Sequence, residues 1–231
     1  RADEAVAHRD DFLGMVSHDL RNLLSGILYS AELLARQTDG SAAEPRVVAN
    51  VERIRRYSAR MNRLIGDLVD VTSIDAGKLS VTPRPGDPAL AIAEAIELFR
   101  AAAEARRIAL VSRVRPGTLR TQFDPDRLLQ VLANLISNSI KFTPEGGRVE
   151  ITAEASGEQV RFVVTDSGPG IPAHLLERVF ERFWQVGADD SRGMGLGLYI
   201  SRCIIVAHGG RIWAESELGK YSAIHFTLPA A

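Results

Sequence analysis

The sequence has little of several features, and each scarcity excludes a class of protein. Its one cysteine, Cys203, cannot form a disulfide within the chain, which excludes a disulfide-stapled secreted scaffold and favours a reducing, cytoplasmic location. Basic and acidic residues nearly cancel, at 28 and 29, for a net charge of −1. No overall positive field therefore attracts nucleic acid or an anionic membrane, and neither is expected as a partner.

Long apolar runs are also missing. No uninterrupted run approaches the roughly 20 residues of a membrane span, and the first residues have no signal-peptide pattern. The chain lacks an initiator methionine as well, which indicates a piece of a longer protein that is either soluble or membrane-anchored. With 45% hydrophobic and 25% charged residues, the composition is that of a globular protein with a sizeable core.

Proline is scarce in the first third of the chain, where Pro45 is the only one before residue 77. Apolar residues recur there at alternating spacings of three and four, which predicts two amphipathic helices. Residues 38–45 between them include Gly, Ser and Pro, which end helices and turn the chain. Residues 1–76 are therefore predicted to form a helical hairpin. The apolar positions are Leu13, Val16, Leu20, Leu23, Ile27 and Leu34 in the first helix, and Val47, Val51, Ile54, Met61, Ile65 and Leu68 in the second.

The breadth of these apolar stripes indicates how many helices pack together. Two helices alone cannot enclose a core with stripes so broad, so a second copy of the hairpin is predicted to complete a dimeric four-helix bundle. A bundle formed within one chain is the alternative. His18 falls at the heptad position farthest from the seam, so its imidazole is expected to be exposed.

Residues 77–86 are rich in Gly and Pro and are predicted to link the hairpin to a second domain, residues 87–231. Strand-like runs alternate there with helix-like runs, and two pairs of neighbouring strands have no helix between them. This order predicts a two-layer α/β sandwich in which helices cover one face of a mixed sheet. The predicted helices cover 87–106, 124–141 and 197–207.

A polar stripe lies on the predicted helix 124–141. Asn134, Asn138 and Lys141 recur at spacings of four and three, so their side chains share one face. Amide oxygens suit Mg²⁺, and an ammonium group suits phosphate. The stripe therefore points to a nucleotide and its metal.

Two glycine-rich motifs follow along the chain. In DSGPG, Asp166 can accept a hydrogen bond from an exocyclic amine, while Gly168 and Gly170 let the backbone bend close to a ring. GMGLGL leads into a helix whose first amides can hold phosphate oxygens. Its glycines are Gly193, Gly195 and Gly197. Either motif alone is more often a plain turn.

An aromatic segment, VFERFWQVGADDSR, lies between these motifs. Phe180, Phe183 and Trp184 precede residues that are polar and turn-prone, so the segment can close over a bound ligand. Packing of Phe180 and Phe183 into the core is an equally good interpretation.

The order of these motifs resembles the ATP-binding domain of sensor histidine kinases, which has the Bergerat ATP fold. The asparagine helix, DxGxG, the Phe segment and GxGxG match that family's N, G1, F and G2 boxes. FLGMVSHDLRN in the first helix matches the family's phosphoacceptor box, so the resemblance covers nearly the whole chain. The departures from the family's usual pattern are Asn22 for Thr, Leu23 for Pro, Gln185 for Arg, Arg192 for Gly, Met194 for Thr or Ser, and Tyr221 for Gly.

For the hairpin, the resemblance implies phosphoryl transfer to a histidine. His18 is the implied phosphoacceptor, which receives the γ-phosphoryl group of ATP. Residues at the positions of Asp19 and Asn22 serve the family's autokinase and phosphatase reactions, respectively. The phosphoryl group then passes to an aspartate in the receiver domain of a response regulator. The chain is expected to act as a homodimer, with no nucleic-acid or membrane contact within this fragment.

For the second domain, the resemblance implies ATP and Mg²⁺ as cofactors. Asn138 is the implied Mg²⁺ ligand, with Asn134 beside it. Lys141 is implied to contact phosphate, and Asp166 to read adenine. A nucleotide-binding dimeric signalling scaffold without kinase activity is the alternative, because the chain departs from the family at Gln185 and in the glycine box.

Overall fold

A computed structural model describes residues 20, 22–34, 44–185 and 194–231. The chain divides into two compact units, Arg1–Asp70 and Val71–Ala231. Within the described residues, no helix is both long enough and apolar enough to cross a membrane.

The first unit contains a pair of packed helices, α1 over residues 22–34 and most of α2, which runs over Glu44–Asp75. The last five residues of α2, Val71–Asp75, belong to the second unit. A Cβ at Gly26 of α1 would lie 2.7 Å from the Tyr57 ring of α2, so the helices pack closely where that side chain is missing. Leu23 and Leu64 are buried on these helices. The predicted helical hairpin is confirmed.

Other apolar side chains of these helices remain exposed in the single chain. Val51 and Ile65, which belong to the predicted stripe, are 42% and 46% exposed. Leu28 and Val48 are exposed as well. Because an amphipathic helix buries its apolar face against another element, this surface supports the prediction that a second hairpin covers it.

The second unit alternates helices and strands. In chain order they are β1 (Arg84–Gly86), α3 (Pro88–Glu104), β2 (Ala109–Ser112), β3 (Thr121–Phe123), α4 (Pro125–Phe142), β4 (Arg148–Ser156), β5 (Gln159–Asp166), α5 (Gly197–Ala207), β6 (Ile212–Glu217) and β7 (Tyr221–Pro229). Two 3₁₀ turns, Ala173–Leu175 and Arg178–Phe180, lie between β5 and α5. The three helices predicted for this domain correspond to α3, α4 and α5.

The main sheet has the strand order β2-β4-β5-β7-β6. β2 is parallel to β4 and the other neighbours are antiparallel, so the sheet is mixed, as predicted. Alternate side chains of β5, from Val160 to Asp166, are buried, and so is the apolar face of α4. Phe162 and Phe226 stack in this core with ring centroids 4.5 Å apart. The predicted two-layer α/β sandwich is confirmed.

The predicted linker, residues 77–86, ends in a strand. Residues 84–86 form β1, which pairs antiparallel with β3. A Cβ at Gly86 would lie 2.7 Å from the Phe123 ring, so this pairing requires a residue without a side chain. Backbone pairing therefore joins the end of the linker to the second unit, while the boundaries predicted at residues 76 and 86 stay a prediction.

Candidate nucleotide site

α4 carries the asparagine stripe, and side chains hold both of its ends. Asp124 caps the first turn by accepting a hydrogen bond from the Arg127 N–H at 3.3 Å. At the other end, the Arg106 guanidinium donates to the carbonyl oxygens of Ile140 and Thr143, the latter at 2.9 Å. These contacts satisfy terminal groups that the helix itself leaves unpaired, so α4 presents its polar face from a fixed position.

Asn134 joins α4 to the glycine-rich turn. Its side-chain amide donates to Gly197 O at 3.1 Å and to Ser201 Oγ at 3.4 Å. A Cβ at Gly197 would lie 3.4 Å from Asn134 Cγ, in van der Waals contact with it. Two motifs that are 63 residues apart in the sequence thus meet at one place.

Asn138 and Lys141 follow on the same helix, and both are half-buried. The Lys141 Nζ lies 4.8 Å from the centroid of the Phe142 ring. The Asn138 amide has no hydrogen bond to another residue that the structure describes. Its oxygen is therefore available to a ligand.

The described residues include no group of three or more His, Cys, Asp or Glu side chains that could hold a metal ion. Mg²⁺ is bound by oxygen ligands, which include amide, phosphate and water oxygens.

Asp166 ends β5 and is buried. The Gly168 N–H donates to its Oδ1 at 2.9 Å, and the Ser139 hydroxyl donates to its Oδ2 at 3.3 Å. Burial raises the pKa of the Asp166 carboxyl, while hydrogen bonds from these two groups and from Ser222 oppose the rise. Three donors thus fix the orientation of the carboxylate.

Ser139 and Ser222 belong to this site, although the sequence motifs do not include them. Ser139 directly follows Asn138, so its place on the polar helix offers a signal. Ser222 is marked by no motif. It lies directly opposite Asp166 in the register of β5 and β7, and this register is visible only once the strands are paired.

The glycines of DSGPG are also required by contacts within the protein. A Cβ at Gly168 would lie 2.6 Å from Asp166 Oδ1 and would displace the carboxylate. Gly170 has a φ of +76°, and a Cβ there would lie 2.5 Å from Glu217 O, at the end of β6. The protein's own atoms thus approach both glycines closely, while an approach to a ligand ring stays a prediction.

The glycine-rich turn leads into α5 as predicted. Gly195 has a φ of +68°, and a Cβ on it would lie 2.5 Å from Trp184 O. The N-cap residue Leu196 makes no side-chain hydrogen bond, so it does not occupy the amides of the first turn. Such amides bind anions well. Gly193 lies outside the described residues.

The structure describes some of the remaining predicted site residues and leaves others outside the described range. Phe180 is buried and Phe183 is half-buried, so packing is observed for Phe180, while closure over a ligand stays a prediction. Asn22 is exposed on α1. His18 and Asp19 lie outside the described residues, and their roles stay predictions.

Two domain-family models match the chain. Residues 8–77 match the His Kinase A (phospho-acceptor) domain, and residues 123–231 match the histidine kinase-, DNA gyrase B- and HSP90-like ATPase. The catalytic domain of histidine kinase ThkA is 34% identical, with a TM-score of 0.59, over 64% of this chain and 96% of that one. The chain belongs to the sensor histidine kinase family.

Three further similarities extend over nearly the whole chain. The adaptive-response sensory kinase SasA of Synechococcus elongatus is 32% identical over 234 residues, 98% of this chain and 60% of SasA, so the chain spans three fifths of that relative. Full-length ShkA in complex with AMPPNP has 30% identity and a TM-score of 0.70, over 96% of this chain and 46% of ShkA. Histidine kinase ThkA in complex with the response regulator protein TrrA has 25% identity and a TM-score of 0.66, over all of this chain and 64% of that chain.

The second unit is larger than the ATPase family match. The match begins at residue 123, but β2, over Ala109–Ser112, pairs with β4 in the same sheet. Residues before the match therefore help to build the domain that carries the nucleotide motifs.

Proposed function

We propose that this chain is the kinase portion of a sensor histidine kinase. It binds ATP with Mg²⁺, phosphorylates its own His18, and passes the phosphoryl group to an aspartate in the receiver domain of a response regulator. The convergence of the motifs supports this function most strongly: hydrogen bonds from Asn134 to Gly197 and from Ser139 to Asp166 bring the N, G1 and G2 boxes together. The complex of ThkA with TrrA supports the class of partner.

The described residues fit a nucleotide with a metal. Mg²⁺ bound with ATP neutralises phosphate charge, and the half-buried Asn138 amide supplies an oxygen ligand for it. The Lys141 ammonium and the first-turn amides of α5 then bind phosphate oxygens. Asp166 accepts a hydrogen bond from the exocyclic amine of adenine.

The reaction itself needs positioning more than covalent chemistry from the protein. His18 Nε2 attacks the γ-phosphorus, a phosphorus–nitrogen bond forms, and the bond to the β,γ-bridging oxygen breaks to release ADP. Asp19 holds the Nδ1–H and stabilises the positive ring. In the second step a carboxylate oxygen of the regulator attacks the phosphorus, and the neutral imidazole leaves.

A homodimer is part of the same proposal. The exposed apolar side chains of α1 and α2, such as Leu28 and Val48, support burial against a second hairpin. A cytoplasmic location follows from the same role, since response regulators and ATP are cytoplasmic.

Labelled ATP tests the activity directly. The chain incubated with γ-labelled ATP and Mg²⁺ is expected to gain acid-labile, alkali-stable phosphate on His18. The control, His18→Gln, is expected to bind ATP as the parent does and gain no label. ATP binding by the parent without phosphohistidine would instead support the signalling scaffold.

Asp166→Asn tests whether the Asp166 carboxylate recognises adenine. The variant is expected to weaken ATP binding by ~1–3 kcal/mol, the range of a hydrogen bond to a charged group. GTP binding should weaken less, because guanine has a carbonyl where adenine has the amine. Calorimetric titration with both nucleotides measures the two losses, and Asp126→Asn, an exposed acid in the first turn of α4, is the matched control.

The same residue predicts a pH dependence. Because burial raises the pKa of Asp166, acidification protonates it at a higher pH than an exposed aspartate. ATP affinity of the parent should fall as the pH drops through that raised pKa, while the affinity of Asp166→Asn should change less. Equal losses for ATP and GTP, with matching pH profiles for parent and variant, would assign Asp166 a purely structural role.

A further inference from the structure

The guanidinium of Arg182 contacts three separate parts of the second unit. It donates two hydrogen bonds to the Asp75 carboxylate, from Nη1 to Oδ1 at 3.1 Å and from Nη2 to Oδ2 at 3.0 Å. Its centre lies 5.1 Å from the Phe183 ring centroid and 5.9 Å from that of Tyr199. These four residues are called the Arg182 cluster below. Asp75 and Tyr199 lie outside the motifs named above, and Arg182 lies in the aromatic segment with no individual role assigned to it.

The cluster lies against the glycine-rich turn of the nucleotide site. Phe183 has a φ of +64°, a left-handed conformation that is strained for a bulky residue. Its N–H donates to Gly195 O at 3.0 Å, and Gly195 is itself left-handed. The backbone before the turn is therefore pinned to the turn at this point, and Arg182 is its immediate neighbour.

Tyr199 connects the same guanidinium to α5. It lies in the first turn of that helix, two residues after Gly197, whose carbonyl accepts the hydrogen bond from Asn134. Contacts from one planar cation thus reach both sides of the turn, Phe183 before it and Tyr199 after it. The bidentate bond to Asp75 fixes the plane of that cation.

We infer that Arg182 is a positioning residue for nucleotide binding, and that Asp75 acts through Arg182. The pair holds Phe183, Gly195 and the first turn of α5 in the arrangement that receives the phosphates, so ATP binds without first ordering them. This inference rests on the proposed function, since it requires that the second unit bind ATP.

The solvent exposure of Arg182 and Asp75 allows their role in nucleotide binding to be distinguished from a contribution to global stability. The Arg182 and Asp75 side chains are 31% and 50% exposed, and an ion pair this close to solvent contributes little to global stability. Loss of the pair should therefore change nucleotide affinity without a matching change in the unfolding temperature.

A double-mutant cycle tests the inference. Asp75→Asn and Arg182→Gln are each expected to weaken AMPPNP·Mg²⁺ binding about fivefold, a typical size for coupling between sites. The double variant should bind about as weakly as Arg182→Gln alone, because Asp75 acts only through that guanidinium. In phosphorylation kinetics the single variants should raise KM for ATP with kcat nearly unchanged, and their melting temperatures without nucleotide should stay near that of the parent.

The neighbouring pair of Arg178 and Glu181 provides the control. The Arg178 Nε and Glu181 Oε2 atoms are 3.4 Å apart, and both side chains are more than half exposed. The pair spans the 3₁₀ turn Arg178–Phe180, which directly precedes the Arg182 segment. Arg178→Gln and Glu181→Gln make the same charge changes and should leave affinity unchanged. Single variants that bind as the parent does, strictly additive losses, or losses that track a fall in melting temperature would each overturn the inference. A parent chain that binds no nucleotide would overturn the proposed function, and the inference with it.

Discussion

Asn138→Ala is expected to reduce phosphorylation of His18 by at least about a hundredfold, the loss seen when one group that stabilises transition-state charge is removed. Stability should change little, because the Asn138 amide has no hydrogen bond to another described residue. Alanine is also the better helix former, by up to ~0.7 kcal/mol. Initial rates with labelled ATP measure the loss of activity, and urea melts measure stability.

Asn134→Ala is the matched comparison, because it makes the same change one helical turn earlier. Its amide donates to Gly197 O and Ser201 Oγ, so its removal should lower the urea midpoint as well as activity. If Asn138→Ala shows the lower midpoint instead, and loses activity only in proportion to unfolded protein, Asn138 is a structural residue and not a metal ligand.

The sequence predicts the elements of the second unit well where local signals determine them. The helix predicted at 197–207 begins and ends where α5 does, at Gly197 and Ala207, because a glycine-rich turn precedes it and its apolar period is clear. The helix predicted at 124–141 matches α4, Pro125–Phe142, to within one residue at each end. Its aspartate cap and its first-turn proline are local signals that need no knowledge of the rest of the fold.

Non-local pairing is what the sequence does not reveal. Residues 84–86 are interpreted as linker because Pro and Gly discourage strands, yet β1 forms there because β3 supplies a partner. Ser222 reaches Asp166 only through the register of β7 against β5. The bond between Arg182 and Asp75 joins residues 107 positions apart, so no window of sequence contains both.

The departures from the family pattern also separate what the sequence predicts from what only the packing reveals. Leu23 and Met194, which stand where the family usually has Pro and Thr or Ser, are each only 4% exposed. Burial gives a physical reason for an apolar side chain at both positions. The sequence alone identifies the departures, but only the packing shows that these two stabilise the fold.

Asp19 and Asn22 are expected to separate two activities of one helix. They follow His18 by one and four residues. If the predicted helix includes all three, ideal helix geometry puts Asn22 one turn along on the same face, and Asp19 rotated by about 100°, where it reaches the ring from the side. A carboxylate can orient and polarise the imidazole for attack on ATP. A neutral amide cannot take up a proton, but it can hold a water in line with a phosphoryl group.

Asp19→Ala should therefore slow formation of phosphohistidine by roughly 10²–10⁴-fold, the usual contribution of a positioned acid or base. Asn22→Ala should leave that step nearly intact and slow loss of phosphate from the phosphorylated regulator by about tenfold. Two time courses with the cognate regulator measure these effects, one following phosphohistidine and the other phosphoaspartate.

The place of Asn22 in the helix is what makes the second effect testable. Leu23 keeps a backbone N–H that proline lacks, so no proline kink turns the helix at this point, and residues 22–34 are helical. Asn22 is exposed there, so its replacement by alanine should not disturb the core of the hairpin. Asn22→Ala that dephosphorylates the regulator at the parental rate, with an unchanged melting temperature, would show that the kinase lacks this second activity at Asn22.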